Sequence, residues 1–314
     1  MRRFLLAGVA GAALLLASTA ASATVVLTGD FVFVSINDIG TLGNGSNFPG
    51  LQHDPTGSGA FSNDNDYIQP GSPHDGFSIF SAESSFLQNS NAGGADFSGG
   101  PSVLLTGPAA NGFANAATWT GGNGYATITN SYFFNAGDER IFVTTAITAL
   151  QNLTGLSFGR SVDPDPDSNA GGGAGTNNQR GNLLFGPDDF IGSAAALTGR
   201  TLALVNLNGD VLAHGTQIGE SCCNNISPDF VLANPGPLTN SDDSSLNMAW
   251  LIGDLNLGQT ATINYAYAMG DKIDVVGGDP VSPIPEPATW ATMILGFFAL
   301  GAAMRRARRP MAFA

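Results

Sequence analysis

A run of alternating carboxylates is the stretch of this sequence whose residue types and spacing point most directly to a chemistry. Asp163, Asp165 and Asp167 occupy every second position, and Asn169 continues the alternation. Oxygen ligands projecting toward one point are what Ca²⁺ requires. The run departs from the EF-hand loop, because serine and alanine stand where that loop has glycine and glutamate. We predict a Ca²⁺ site at these four residues, with a solvated acidic turn as the alternative.

The other residues capable of chemistry give weaker patterns. His53-Asp54 and His74-Asp75 are two similar dipeptides, and they can share a metal only if their loops converge. The G-x-S-x-G motif of a nucleophilic serine does not occur. A pair of carboxylates for glycoside hydrolysis stays open, since their approach depends on tertiary structure. Three aromatic residues that could stack on sugars are predicted to pack in the core instead: Trp119, Tyr125 and Tyr132.

Cys222 and Cys223, the two cysteines, are adjacent. Neighbouring Cα atoms are about 3.8 Å apart across a trans peptide, so the pair cannot close a loop as an ordinary disulfide does. A vicinal disulfide and free or intermolecular thiols are the alternatives. The fold must therefore be held by its core.

The charge of the chain is concentrated between its two ends. That part carries 24 acidic against 5 basic residues, a net charge of −19. Such a surface repels phosphate backbones, which argues against nucleic acid as a partner. It favours solubility and attracts divalent cations.

Strand-like alternation of apolar and polar residues predicts an all-β fold, an antiparallel β-sandwich or supersandwich with long Gly/Asn/Asp-rich loops. Tyr125–Phe134 and Arg140–Leu150 are predicted to pair as a hairpin, and so are Thr201–Leu207 and Val211–His214, around an Asn-Gly turn. The other predicted strands are Thr24–Ser35, Gly76–Ser81, Ser102–Thr106, Leu153–Val162, Leu246–Gly253, Ala261–Met269 and Lys272–Val276. Elaborate loops with short strands are predicted over 37–74, and a Gly/Asn-rich loop over 169–182.

The N-terminus has the features of a secretory signal peptide. Two arginines, an apolar run predicted to form a signal helix and an A-x-A site at Ala21 and Ala23 span residues 1–23. This predicts an extracellular β-sandwich domain over 24–276, followed by a Pro/Gly/Ser-rich linker at 277–284.

The C-terminal segment, 285–309, has the features of a membrane anchor. After Pro285, Glu286 and Pro287, the apolar run Ala288–Met304 predicts a transmembrane helix of about 25 Å, at the short end of what spans a bilayer. Basic residues follow the helix and predict that this end lies in the cytoplasm: Arg305, Arg306, Arg308 and Arg309.

The ordered set of Pro-Glu-Pro, apolar helix and arginine cluster resembles the PEP-CTERM sorting signal of Gram-negative bacteria. The resemblance implies export by the secretion machinery, a transient hold in the inner membrane and processing near Pro285–Pro287 by an exosortase. It also implies a final place at the cell surface or in the exopolysaccharide matrix, and a link to biofilm formation. The body, through segments such as His53–Gly57 and Asn247–Trp250, is similar to uncharacterised secreted β-supersandwich proteins, broadly galactose-mutarotase-like in shape.

These observations predict a non-enzymatic surface or matrix protein, sorted by an exosortase and interacting with exopolysaccharide. The alternative is a secreted carbohydrate-active enzyme or carbohydrate-binding module on a β-supersandwich. A cleft holding two carboxylates about 5–9.5 Å apart beside aromatic side chains would favour the hydrolase. Stabilisation by calcium without such a cleft would favour the structural role.

Overall fold

The computed structural model describes residues 24–43, 49–70, 72, 74–223 and 225–278. In these residues the secondary structure is almost entirely β, as the sequence predicts. The strands in chain order are β1 (Val25–Thr28), β2 (Val32–Ile36), β3 (Leu51–His53), β4 (His74–Ser81), β5 (Ser85–Ser90), β6 (Ser98–Gly99), β7 (Val103–Leu104), β8 (Asn115–Gly122), β9 (Ala126–Phe134), β10 (Arg140–Ala149), β11 (Leu153–Asp163), β12 (Thr176–Arg180), β13 (Phe190–Ala195), β14 (Thr201–Asn206), β15 (Ala213–Ile218), β16 (Thr239–Asp242), β17 (Leu246–Leu255) and β18 (Thr260–Gly270).

The strands form three sheets in which neighbouring strands are antiparallel. The largest sheet has the order β16-β12-β13-β14-β18-β10-β9-β8-β6, with β7 also paired to β8, and a five-stranded sheet has the order β15-β17-β11-β4-β5. A small sheet, β1-β2-β3, precedes them. Short helices lie in the connections: one α-helix, α1 (Pro228–Ala233), and 3₁₀ turns at Asn63–Asn65, Gly107–Ala110 and Gly209–Val211.

Aromatic side chains from both large sheets fill the space between them. Phe158 of β11 lies 5.9 Å from Trp250 of β17 and 6.4 Å from Tyr265 of β18, measured between ring centroids. Phe77 of β4 lies 5.7 Å from Trp119 of β8. All five side chains are fully buried. Because the contacts of Phe158 with Tyr265 and of Phe77 with Trp119 join strands of different sheets, they make the fold a sandwich with one continuous apolar core.

Strand β18 shows how alternation in sequence becomes two packed faces. Ile263, Tyr265 and Tyr267 belong to the core between the sheets. Ala266 and Ala268, on the opposite face, are also buried, against smaller apolar clusters on the outer side of the ten-stranded sheet. The alternation of residue types along β18 thus divides its side chains between two packed faces.

The segment that follows β2 packs onto the sandwich through its backbone. The carbonyl oxygen of Gly40 accepts hydrogen bonds from the Tyr132 hydroxyl (2.7 Å) and the Asn130 amide (3.2 Å). Gly40 has φ +76°, and a Cβ there would lie 2.4 Å from the Trp119 ring. Only glycine fits this close approach, and so the segment can cover the edge of the core.

Pairing and position differ from the prediction at several strands. The 125–134 and 140–150 hairpin is confirmed as β9 and β10. The predicted hairpin around Asn208 is wrong, because β14 pairs with β13 and β18 whereas β15 pairs with β17 in the other sheet. Asn208 exchanges hydrogen bonds with the backbone of Asn264, which ties the turn to β18 while the chain crosses between sheets.

Two further strand predictions are corrected. Thr24–Ser35 is not one strand but two, β1 and β2, which reverse at Gly29, whose N–H donates to Val32 O at 2.8 Å. Lys272–Val276 is a turn, in which the N–H groups of Val275 and Val276 both donate to Lys272 O. The predicted loop at 169–182 contains β12, a polar strand that alternation of apolar residues cannot reveal.

Among the described residues, no helix is long and apolar enough to cross a membrane. The predicted signal segment, with Ala21 and Ala23, lies outside the described residues. The same is true of the predicted transmembrane helix and the sorting motif, 285–309.

Candidate functional site

A group of three carboxylates, here named the acidic centre, lies where the long strand β11 ends. Asp163 is the last residue of β11, Asp165 follows two residues later, and Asp243 comes from the loop between β16 and β17. One carboxylate oxygen from each residue lies within 4.8 Å of the other two. Asp163 and Asp165 are each 3% exposed, so two carboxyl groups lie in a site largely removed from water.

The local chain path explains why Asp163 and Asp165 share this site. Proline precedes and follows Asp165, and Pro164 disfavours a helical backbone at Asp163. The N–H of Asp165 donates to Tyr67 O at 2.7 Å, which attaches the segment to the loop before β4. Beyond it the chain turns, and Ser168 N–H donates to Asp165 O at 3.1 Å.

The acidic centre holds its protons more strongly than ordinary carboxyl groups do. Burial, and then the charge of Asp243, raises the pKa of Asp163 to about 7. Burial, and then the charges of Asp163 and Asp243, raises the pKa of Asp165 to about 8. In the part of the chain that the structure describes, the Oδ1 atoms of Asp165 and of Asp243 have no hydrogen-bond partner. The arrangement suits a proton or a cation, and not an anion.

The two cysteines adjoin this centre and are joined to each other. Cys222 and Cys223 form a vicinal disulfide, which selects among the alternatives that the sequence leaves open. Cys223 has φ +69°, in the left-handed region, and its Sγ lies 3.3 Å from Asp163 Oδ2. The disulfide thus shapes the loop that covers one side of the acidic centre.

The other two residues of the predicted Ca²⁺ set have different partners. Asp167 Oδ2 accepts the N–H groups of Leu197 (2.8 Å) and Thr198 (3.0 Å), and Oδ1 accepts the Thr198 hydroxyl (2.6 Å). Asn169 is exposed and donates to Asn63 O at 3.0 Å. The structure brings Asp163 and Asp165 together with Asp243, and it uses Asp167 and Asn169 to hold loops.

A second candidate site is a cleft of about 750 Å³ beside the turn that joins β9 to β10. Its size is typical of small-ligand pockets. Phe113 and Phe142 contribute aromatic surface, with ring centroids 5.6 Å apart. The charged residues of the lining have both signs: Asp138, Glu139, Arg140, Asp271 and Lys272.

Glu139 is a carboxylate of the cleft whose pKa is raised. Burial, and then the charge of Asp271, raises the pKa of Glu139, while Arg140 opposes the shift. The side chain is 40% exposed, and its Oε2 lies 3.7 Å from Nε2 of the buried His53. Asp138 instead accepts the Asn135 N–H at 2.7 Å and shapes the turn. An accessible acid beside a second carboxylate can serve either as a hydrogen-bonding group or as a proton donor.

The histidines that the sequence offers as metal ligands do not converge. Among the described residues, no histidine belongs to a group of three potential ligands as close as the acidic centre. His53 lies 3.3 Å from the Tyr67 hydroxyl, and His74 lies 3.3 Å from the Ser90 hydroxyl. Burial lowers the pKa of His53 and of His74 to about 4, so both are neutral at pH 7.

The aromatic residues considered for sugar stacking are core residues. Trp119 and Tyr132 are fully buried, and Tyr125 is half-buried against the same core. Phe113, which the sequence does not single out, is the partly exposed aromatic residue of the cleft. Its position depends on contacts with Phe133 and Phe142, which only the folded sheet brings together.

The described chain is an all-β protein of packed antiparallel sheets. No family model matches it, and no curated protein matches it. It has distant likenesses among solved structures. One is a heparan sulfate lyase mutant from Pedobacter heparinus, at 11% identity and a TM-score of 0.34, over 55% of this chain and 22% of that one.

Two further solved structures have the same level of similarity. A GH36 alpha-galactosidase from Geobacillus stearothermophilus is 11% identical, with a TM-score of 0.39 over 80% of this chain and 41% of that one. The Slr1438 protein from Synechocystis sp. PCC 6803 is 8% identical, with a TM-score of 0.42 over 80% and 97%. The chain thus spans less than half the length of the lyase and the galactosidase. Likenesses this distant carry no inference about activity.

Proposed function

We propose that the protein is an exported, non-enzymatic component of the cell surface or the exopolysaccharide matrix, sorted by an exosortase. The observation that carries the proposal is the ordered C-terminal motif of Pro285–Pro287, the apolar run Ala288–Met304 and the terminal arginines. The arginines hold that end in the cytoplasm until the chain is processed. The acidic, all-β body is the part that is delivered.

Removing the terminal arginines is expected to change the fate of the chain. With Arg305, Arg306, Arg308 and Arg309 replaced by glutamine, the tail loses the charges that fix its orientation, and we expect the processed form to fall at least tenfold. Cell fractionation and mass analysis of the mature C-terminus measure this. Replacement of the same arginines by lysine keeps the charge and is the matched control. A full-length chain that keeps its tail in the cytoplasm would refute the proposed sorting.

The cleft supports an interaction of the delivered body with polysaccharide. Its volume of about 750 Å³ fits one or two sugar rings, and it offers both an aromatic face and charged hydrogen-bonding groups. Phe113 supplies the accessible ring, and Glu139 and Asp271 supply acceptors for hydroxyl groups. In this function the groups bind and do not transform the sugar.

A carbohydrate-active enzyme is the second candidate, and one observation favours it. Glu139 has a raised pKa next to Asp271, and a glycoside hydrolase requires a protonated acid beside an ionised carboxylate. The two functions make different demands on the same residues. Binding depends mainly on Phe113, whereas hydrolysis depends on the proton of Glu139.

Paired substitutions in the cleft separate binding from hydrolysis. For a binding protein we expect Phe113→Ala to weaken retention on the matrix polysaccharide about tenfold, because the ring loses its apolar contact, and Glu139→Gln to change it only a few-fold. For a hydrolase, Glu139→Gln should reduce sugar release by about 10²–10⁴-fold. Phe230→Ala, a half-exposed phenylalanine on α1, and Glu220→Gln, an exposed glutamate, are the matched controls. Sugar release that Glu139→Gln abolishes would replace the non-enzymatic proposal.

A further inference from the structure

We propose that Asp163, Asp165 and Asp243 form a divalent-cation site and that Ca²⁺ is the cation it takes. The site is different from the four-residue set that the sequence suggests, because its third ligand comes from a loop about 80 positions away in the chain. The proposal does not depend on the sorting of the protein or on the cleft.

The spacing of the three carboxylates matches the radius of a calcium ion. Ca²⁺ binds oxygen at 2.3–2.6 Å, so ligand oxygens around one ion lie at most about 5 Å apart. One oxygen from each of the three residues falls within 4.8 Å of the others. Three carboxylates supply between three and six of the six to eight oxygens that Ca²⁺ takes, and water supplies the rest.

A buried carboxylate oxygen without a hydrogen-bond partner supports the cation site independently of the spacing of the three carboxylates. Asp165 is 97% buried, with 3% of its surface exposed, and its Oδ1 has no hydrogen-bond partner among the described residues. A buried carboxylate oxygen without a partner loses the hydration that it would have in water, at a cost comparable to a lost hydrogen bond or more. A bound cation provides the missing interaction at the place where this oxygen lies.

The charges around the centre favour a cation over a basic side chain as the partner. The neighbouring charges that act on Asp163 and Asp165 are themselves carboxylates, including Asp243. The centre has a further carboxylate beside it, since Asp242 precedes Asp243 and accepts its N–H at 2.9 Å. Ca²⁺ neutralises several such charges at one point.

Binding at this position would connect the two large sheets. Asp163 ends β11 of the five-stranded sheet, whereas Asp243 follows β16 of the ten-stranded sheet. The loop of the vicinal disulfide adjoins Asp163. A cation held by the three carboxylates joins two separate chain segments beside the disulfide loop, so its effect appears in stability as well as in binding.

Thermal unfolding of the purified full chain, first freed of metal by a chelator, tests the proposal at pH 8. Ca²⁺ at about a hundredfold above its dissociation constant is expected to raise the Tm by about 5–10 °C. Asp165→Asn and Asp243→Asn should each abolish the rise. Asp64→Asn, at an exposed aspartate, and Asp167→Asn, at the loop-holding residue, should keep it.

For each variant, the rise in Tm with Ca²⁺ is measured from the metal-free Tm of that same variant, so a change in basal stability does not affect the comparison. A rise lost in Asp165→Asn and Asp243→Asn but kept in Asp64→Asn supports the site. The absence of a rise in the natural chain overturns it, and so does an equal rise in Asp165→Asn, which would mean non-specific screening. An equal rise with Mg²⁺ overturns the assignment to Ca²⁺. Isothermal titration with CaCl₂ on the same variants checks that the Tm change reports binding.

Discussion

Replacing Arg160 by methionine is expected to lower the free energy of unfolding by about 3–5 kcal/mol, because it leaves the Asp75 carboxylate buried without its partner. Both side chains of this ion pair are fully buried. Arg160 also donates to the Tyr267 hydroxyl, and that hydroxyl donates to Asp75 Oδ1 at 2.5 Å. Denaturant unfolding followed by tryptophan fluorescence measures the loss.

The position of the pair explains why the expected loss is large. Asp75 lies on β4 and Arg160 on β11 in one sheet, whereas Tyr267 lies on β18 in the other. The Leu42 N–H donates to Asp75 at 2.7 Å and adds the N-terminal segment. Burial works against the charged guanidinium, but Asp75 together with the neighbouring tyrosines raises the pKa of Arg160 well above its ordinary value. The guanidinium also lies 5.9 Å from the ring centroid of Phe77, which adds a cation–π contact.

An ion pair with one exposed partner, between the buried Arg180 and the exposed Asp188, provides the control. Arg180 Nη2 and Asp188 Oδ1 are 2.9 Å apart, but the Asp188 side chain is 58% exposed. Asp188→Asn should therefore cost no more than about 1 kcal/mol. The double variant Arg160→Met with Asp75→Leu should recover part of the stability, since it removes both buried charges. A loss of under 1 kcal/mol in Arg160→Met would contradict the structural role given to the pair.

The sequence predicts the β-class and the strongest strands because these depend on local alternation. β18 has apolar or aromatic residues at every second position, and β9 and β10 do so except at Asn130 and Thr145. The turn between β9 and β10 has the composition of a hairpin loop. The turn at Asn208 also has the composition of a hairpin loop, but the strands on either side of it, β14 and β15, do not pair with each other. Its flanking strands gain more by packing in different sheets than by pairing, and no local pattern reports that choice.

The acidic centre is half visible in the sequence for the same reason. Asp163 and Asp165 are recognisable as close ligands because they are neighbours in the chain. Asp243 becomes the third only because β16 and β17 place its loop beside the end of β11. Alternation alone assigns Asp167 to the site, but the turn after Pro166 directs it to the backbone at Leu197. Predicting these positions requires the tertiary arrangement of the loops.

Without divalent cations the protein is expected to become less stable as the pH rises from 6.5 to 8. The pKa values of Asp163 and Asp165 are raised to about 7 and 8 in the folded state, chiefly by burial, against about 4 in an unfolded chain. Above pH 4 the folded state therefore holds more protons than the unfolded state. Stability from these groups is greatest at low pH and is lost as the pH rises through the folded-state values.

Two buried histidines make stability rise with pH, the opposite of the aspartates, and they do so over a lower pH range. Burial lowers the pKa of His53 and of His74 to about 4, against an ordinary value of 6.5. Between pH 4 and 6.5 the unfolded state holds more of their protons, so their contribution to stability rises with pH there. The two effects oppose each other below pH 6.5. At pH 6.5 the histidines are still half protonated in the unfolded state, so their contribution goes on rising to about pH 7.5. Above about pH 7.5 they are neutral in both states, and only the loss from the aspartates continues.

The expected net loss between pH 6.5 and 8 is about 1.5–2 kcal/mol, or about 3–8 °C in Tm, because the partial release of two protons from the aspartates outweighs the remaining gain from the histidines. Asp165→Asn should remove most of the slope and be more stable than the natural chain at pH 8, because it no longer ionises inside the protein. Asp64→Asn, at an exposed residue, should keep the full slope. Thermal unfolding in the presence of a chelator at pH 6.5 and pH 8 measures this loss. A Tm at pH 8 that equals or exceeds the Tm at pH 6.5 would contradict the prediction. Ca²⁺ should cancel the loss, since an ion that binds the ionised carboxylates stabilises the fold most where those groups are deprotonated.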